Sequence, residues 1–193
     1  EGSKIEHIDH LIKGFGMPMG PFTLADTVGI DVGYKVASIL REEYGYRMPI
    51  APLIEKMYDA NYLGKKSENG GFYKYDGKDD YVNEHVISML SNNGKIIDDS
   101  EIIQRCLYIM INEAARCLEE NIVSDAAIID FAMITGTGFP AYKGGLLTYA
   151  NEVGLKNILE SLRKFERDYG SRFAPSNLLI KLVEEHEDFE TGE

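Results

Sequence analysis

The sequence predicts an all-α fold made of two similar halves, and three observations predict it. The first is duplication. Ile8-Asp9, Gly16-Met17-Pro18 and Val28-Gly29-Ile30 are echoed by Ile129-Asp130, Gly138-Phe139-Pro140 and Val153-Gly154-Leu155. Downstream the offset is fixed: Tyr44-Gly45-Tyr46-Arg47 lies 125 residues before Tyr169-Gly170-Ser171-Arg172, the mark of a repeated structural unit. The second is periodicity, since apolar residues recur at helical spacing in one segment after another. The third is the lack of Val/Ile-rich strands alternating with helices, which leaves no parallel sheet and no room for a dinucleotide-binding domain of about 150 residues. Two copies are too few for a solenoid, so the expected arrangement is two helical halves, residues 1–93 and 94–193, packed as a pseudo-dimer.

Each element has its own warrant. Ser3 and Glu6 make a capping box ahead of Ile5, Ile8, Leu11 and Ile12, a short helix that Gly14-Phe15-Gly16 ends. Phe22 to Thr27 adds a turn or two. Asp31 caps a helix carrying Val32, Val36, Ile39 and Leu40 that stops before Gly45, and Pro52 starts one running through Asn61. Gly64 to Asp76, rich in Gly and aromatic residues, reads as an extended crossover. The polar stretch from Asp80 to Asp99 turns at Asn92-Asn93-Gly94, carries one amphipathic segment at Val82, Val86, Met89 and Leu90, and marks the boundary between the halves. Asp99 or Ser100 caps the strongest helix, whose stripe includes Ile102, Ile103, Cys106, Leu107, Met110, Ala114, Cys117 and Leu118. Ser124 caps the next, which Gly138-Phe139-Pro140 breaks. Leu155, Ile158, Leu159, Leu162 and Phe165 define another, and Pro175 opens the last.

Composition excludes several classes. With 193 residues and 44% apolar content the chain can bury a substantial core. A net charge of −12 argues against sequence-independent nucleic-acid binding, which needs phosphate-neutralising cations. Glu184, Glu185, Glu187, Asp188, Glu190 and Glu193 crowd the last ten residues and read as a solvated, fraying tail. No run approaches 18 apolar residues and no basic region leads into an apolar stretch, so neither a membrane span nor a signal peptide is expected, and the expected setting is bacterial cytoplasm or an organelle matrix. Cys106 and Cys117 share one helix face about 16 Å apart, too far to bridge, and read as core thiols.

Several clusters invite a chemical reading. Gly14 to Gly20 misses the G-x-G-x-x-G spacing by one residue. Gly136-Thr137-Gly138-Phe139-Pro140-Ala141 fits G-x-G-x-x-A, but a helical period precedes it and Pro140 interrupts it, whereas a dinucleotide loop follows a strand and opens a helix. His7 and His10 with Glu6 and Asp9 offer either a metal-ligand face lacking a specified third ligand or a plain polar helix face. His85 and His186 lie in polar surroundings with no nucleophile pattern beside them. Lys65 and Lys66 among Gly64, Gly70 and Gly71 suit either a phosphate or a solvated loop.

Five motifs taken together carry a family likeness. Gly16-Met17-Pro18-Met19-Gly20-Pro21, Leu24-x-Asp26-x-Val28-Gly29-Ile30-Asp31, Gly64-Lys65-Lys66 with Gly71-Phe72-Tyr73-x-Tyr75, Asn112-Glu113-Ala114-x-Arg116-Cys117-Leu118-Glu119-Glu120, and Gly138-Phe139-Pro140-x-x-x-Gly144-Gly145 resemble, in order, the C-terminal helical region of L-3-hydroxyacyl-CoA dehydrogenases. The likeness is strongest to the multifunctional fatty-acid oxidation enzymes, alpha-subunit type, and stops short of the acidic residues beyond Lys181. It implies two tandem helical repeats of the 6-phosphogluconate dehydrogenase C-terminal-like kind, the first lacking its first helix. It further implies a role as the substrate wall and dimerisation region of an NAD-dependent enzyme of fatty-acid β-oxidation, inactive alone. The NAD cofactor and the catalytic His–Glu pair would come from a Rossmann domain absent from this chain, with acyl-CoA as substrate and a thiolase subunit or a second copy as partners.

No catalytic, cofactor-binding or metal residue carries over: the family's Asn-Arg pair and its substrate-facing Asn lie on the missing first helix, and the second-half position resembling the pair reads Gln104-Arg105. The residues that do carry over are Met17, Pro18, Met19, Gly20 and Pro21, which the resemblance places at the mouth of the acyl-CoA cleft. Packing of the loop against its own helices is the competing reading. Tyr142-Lys143 in the second-half loop is expected to serve the interface between halves, and an apolar groove left by the missing helix is expected either to make the chain dimerise with concentration or to reduce its stability. A stand-alone acyl-CoA-binding or scaffold module is the alternative function.

Overall fold

The computed structural model describes residues 1–77, 79–90 and 94–191. Among these residues the chain forms ten α-helices and one two-stranded antiparallel hairpin, so the all-α expectation holds. The chain divides into two compact units, Glu1–Phe15 with Met19–Asp99, and Gly16–Pro18 with Ser100–Glu193. The turn expected at Asn92-Asn93 lies outside the described residues.

The first unit runs α1 (Ile5–Phe15), α2 (Pro21–Val28), α3 (Ile30–Tyr44), α4 (Pro52–Asp59), the hairpin β1 (Tyr73–Asp76) and β2 (Asp79–Val82), and α5 (Glu84–Met89). Pro21 and Pro52 stand at the first positions of α2 and α4, where the missing N–H costs nothing and the fixed φ suits a helix. Ile5, Ile30, Met57, Phe72 and Val86 form its core.

The second unit contains α6 (Asp99–Glu119), α7 (Ala126–Ala132), α8 (Leu146–Val153), α9 (Leu155–Tyr169) and α10 (Asn177–Glu185). The expected apolar series on α9 is its core face: Leu155, Ile158, Leu159, Leu162 and Phe165 are all buried. They are joined in the unit's core by Leu107, Ile111, Leu147 and Leu179.

The duplication survives in the details. Gly29 and Gly154 cap α3 and α9 with φ of 104° and 89°, a region that L side chains avoid. At the start of α8 the Asp130 carboxylate accepts from Leu147 N–H at 2.6 Å, Thr148 N–H at 3.0 Å and Thr148 Oγ1 at 2.7 Å. Gly145 is required there because a Cβ would overlap the Asp130 side chain.

Five local expectations are corrected. Gly29, not Asp31, caps α3, because Asp31 sits inside the first turn and pairs with Lys66. Asp125, not Ser124, caps α7, accepting from Ala127 N–H at 2.7 Å. Ser176 rather than Pro175 starts α10, accepting from Leu179 N–H at 3.2 Å. α1 begins at Ile5, one residue past the start that Ser3 as cap would set. The crossover ends in a hairpin pairing Tyr73 with Val82, so Val82 belongs to a strand and only Val86 and Met89 to a helix. Helix α8, hidden behind Gly144-Gly145, has no precursor in the sequence reading.

The acidic tail is also fastened rather than frayed. Phe189 is 4% exposed, and its N–H and C=O both bond the Asn151 amide, at 3.0 and 2.9 Å. Glu193 of that tail lies outside the described residues.

Asp130→Ala removes three hydrogen bonds from the α8 terminus and is expected to lower unfolding stability by about 2 kcal/mol. Gly145→Ala is expected to cost at least as much. Urea titrations measure both, and midpoints equal to the parent's would contradict the cap.

Candidate functional site

The Met17–Pro21 segment joins α1 to α2, and its far end is clamped from below. Asp9 on α1 is buried at 5% exposure. Its Oδ1 accepts from Phe22 N–H at 2.8 Å, and its Oδ2 accepts from Thr23 N–H at 3.0 Å and Thr23 Oγ1 at 2.7 Å. These amides are the orphan donors of the α2 N-terminus, where a carboxylate is also favoured by the helix dipole. A fourth donor, Tyr73 Oη on β1, reaches Oδ2 at 2.9 Å. Gly20 permits this approach, since a Cβ there would overlap Asp9 Cγ and Cα.

A second carboxylate ties the other half of α2 to the chain returning past it. Asp26, 1% exposed, accepts from Phe72 N–H at 2.9 Å, Tyr73 N–H at 2.8 Å and Tyr75 Oη at 2.8 Å. Its backbone carbonyl takes the Lys65 N–H at 2.9 Å. The Gly64 and Gly71 positions lie so close to Asp26 that a side chain at either would collide with it. The Gly-rich stretch is therefore a wrap around α2.

Burial pushes the Asp26 carboxyl above the ordinary range, partly opposed by the amides of Tyr73 and Phe72 and by the Tyr75 hydroxyl. The Tyr73 and Tyr75 phenols are both pushed well above their usual value, first by burial and then by the carboxylate each one serves. Both remain neutral donors. A shallow pocket of about 260 Å³ opens beside them, lined by Glu6, Asp9, His10, Lys13, Thr23, Tyr73, Tyr75 and Asp80. With four donors Asp9 has no acceptor site left for a general base, and Asp26, with three, is buried and does not line the pocket. The arrangement positions a loop.

Of the five loop residues, Met17, Met19 and Pro21 are half-buried, Pro18 is exposed and Gly20 is buried. Within the second unit Pro18 lies against Gly138, where an added Cβ would come 2.8 Å from Pro18 Cγ. The other clusters find protein partners. His7 Nε2 sits 2.7 Å from Asp99 Oδ1, and among the described residues no three His, Cys, Asp or Glu side chains could hold a metal. Lys66 pairs with Asp31, and Lys65 lies 5.4 Å from the Tyr75 ring centroid. Met133–Thr137 is a single π-helical turn closed by Gly138 in the left-handed region, a helix ending and not a strand-to-helix loop.

Cys106 is half-buried, its thiol raised by burial, and Cys117 lines an apolar cavity of about 350 Å³ with Met110, Ile129 and Met133. Sequence reasoning passed over Asp9, Asp26, Asp130 and Asn151 as structural anchors. The signal was present in the Ile-Asp echo and in the 125-residue spacing of Asp26 and Asn151.

Residues 1–75 and 102–190 match the family model of the 3-hydroxyacyl-CoA dehydrogenase, C-terminal domain. The chain belongs to this family. The match runs past Lys181, which corrects the expectation that the acidic residues fall outside it. The fatty acid oxidation complex subunit alpha of Shewanella loihica is 36% identical over 98% of the chain and 27% of its own length, and that of Idiomarina loihiensis 42% identical over 95% and 26%. The chain thus spans about a quarter of these curated relatives. The dehydrogenase part of multifunctional enzyme 1 from C. elegans superposes with a TM-score of 0.65 at 30% identity, over 93% of this chain and 42% of that one. The 3-hydroxybutyryl-CoA dehydrogenase of Escherichia coli shares the fold, with a TM-score of 0.71 at 19% identity over 95% and 56%. Among the described residues of this 3-hydroxyacyl-CoA dehydrogenase C-terminal domain, no helix is long and apolar enough to cross a membrane.

Because its folded pKa is raised, Asp26 holds its proton to higher pH in the folded domain than in the unfolded chain. The stability linked to it is therefore greatest below about pH 3.8 and declines as pH rises through the folded pKa. A carbon-detected NMR titration is expected to place the Asp26 midpoint above 3.8; a midpoint at or below that value would contradict the assignment.

Proposed function

We propose that this chain is the helical substrate wall and dimerisation region of an NAD-dependent L-3-hydroxyacyl-CoA dehydrogenase of fatty-acid β-oxidation, inactive alone. The observation carrying this reading is the family match along nearly the whole chain, joined to relatives about four times longer whose names place them in fatty acid oxidation. NAD and a catalytic His–Glu pair belong to a Rossmann domain of a longer parent chain, because Gly136–Ala141 here lacks the strand-to-helix amides that receive a pyrophosphate. A thiolase subunit and a second copy of the parent are the proposed partners.

In this reading the chain's residues bind and orient rather than react. Asp9, Gly20 and Pro21 fix the α2 end of the loop, so Met17 and Met19 meet an acyl chain from a preset position. Methionine suits chains of varied shape because its side chain is unbranched and polarizable. Holding the acyl chain in register supplies orientation that would otherwise be lost as entropy.

Two measurements test the proposal. The purified chain with NAD and 3-hydroxybutyryl-CoA is expected to form no NADH, and turnover would sink the claim of inactivity. In the parent enzyme, Met17→Ser with Met19→Ser is expected to raise KM for long-chain substrates about thirtyfold while sparing short ones, since each of the two lost apolar contacts is worth about 1 kcal/mol. Equal effects on both lengths would remove the loop from the wall. Micromolar binding of a long-chain acyl-CoA by the chain alone would favour a stand-alone binding module.

A further inference from the structure

The two loops that echo each other in sequence differ in length, and the longer one bears on the shorter. Gly20 and Gly145 each stand directly before a short helix, α2 or α8. One residue, Met19, separates Pro18 from Gly20, whereas four separate Pro140 from Gly145. The additional residues Ala141, Tyr142 and Lys143 form a 3₁₀ turn, in which Lys143 N–H donates to the Pro140 carbonyl and Gly144 N–H to the Ala141 carbonyl, both at 3.0 Å. Gly144, with φ of 76°, closes the turn.

Gly16–Pro18 belong to the same compact unit as this turn. Gly16 has φ of 120°, and an added Cβ there would come 2.7 Å from Tyr142 Oη and 2.8 Å from Pro140 Cγ. The lack of a side chain is what lets both groups lie on the Gly16 backbone. Two residues on, Pro18 lies against Gly138. Met17 is thus flanked by held neighbours, and because consecutive Cα atoms stay about 3.8 Å apart, its own Cα has little room to shift. Tyr142 has support of its own. The Lys143 ammonium lies 5.3 Å from the Tyr142 ring centroid and 5.2 Å from that of Tyr149 on α8, two cation–π contacts that tie the outer ring to the helix. At 76% exposure, burial of the Tyr142 ring does not account for its place.

We infer that Tyr142 is a positioning residue for the acyl chain: by seating Gly16 it fixes where Met17 stands, so the additional residues of the second loop set which chain lengths the Met17–Pro21 wall accepts. The inference rests on the acyl-wall reading of that loop and deepens it. Asp9 fixes the α2 end through Phe22 and Thr23, and Tyr142 fixes the α1 end. A methionine side chain adapts to many shapes. A held backbone is what lets so adaptable a residue discriminate by length, and substrates too short to reach Met17 are indifferent to it.

Two readouts separate the inference from the reading beneath it. In the chain alone, Tyr142→Ala is expected to lower the amide order parameter of Met17 from about 0.85 towards about 0.6 by nitrogen-15 relaxation, with Met57 and Met110 unchanged. Tyr142→Phe, which keeps the ring over Lys143, is expected to lower it less. In the parent enzyme, Tyr142→Ala is expected to raise KM for long-chain substrates about fivefold with kcat unchanged and short-chain KM spared, the mark of lost binding and not of lost chemistry. An unchanged Met17 amide overturns the inference and leaves the wall reading standing. Loosening shared by Met57 and Met110 also overturns it, since Tyr142 then supports the fold at large. A loosened Met17 with KM unchanged for every chain length removes the wall reading, and the inference with it.

Discussion

Each unit hangs on a carboxylate buried under the amino end of a short helix. Asp9 and Asp130 each accept two backbone amides and a threonine hydroxyl from the next helix. Helices α2 and α8 have eight residues each, too short to hold together in water without tertiary support. The anchoring aspartate supplies part of that support, and a glycine directly before each helix is the steric condition for it. The direction of α3 and α9 follows, because Gly29 and Gly154 turn the chain where the anchored helix ends.

The far ends of the short helices are tied in the same spirit with different chemistry. Asp26 gathers two amides and a phenol from the Gly71–Tyr75 segment, whereas Asn151 exchanges a donor and an acceptor with Phe189. A carboxylate only accepts, so it suits a segment offering several donors at once; an amide does both and suits a single extended residue. Phe72 and Phe189 are buried at corresponding places, so the two copies share an aromatic plug held by a polar residue of the short helix.

Helices with broad apolar stripes were legible in the sequence. Ile102 to Leu118 and Leu155 to Phe165 declare a period that no other structure satisfies, and the fixed repeat offset gave the number of units. Capping residues were misplaced by one or two positions, since Asp31, Ser124 and Pro175 each lie within two residues of the true cap and only the backbone path selects between them. Helix α8 and the hairpin were missed for a deeper reason. Their stability comes from Asp130, Asp9 and Asp26, residues far away in sequence, and local patterning does not report such partners. The Met17–Pro21 loop was legible as a motif, whereas the clamp that fixes it was not.

The hold of Asn151 on Phe189 changes where the folded unit ends. Helix α10 finishes at Glu185, and the charge of the following residues suggests that a trimmed chain could stop there. Among the described residues the last buried one is four positions further on, so a protease site, affinity tag or fused partner introduced between Glu185 and Phe189 would unplug the base of α8, while one placed after Phe189 would leave that contact in place.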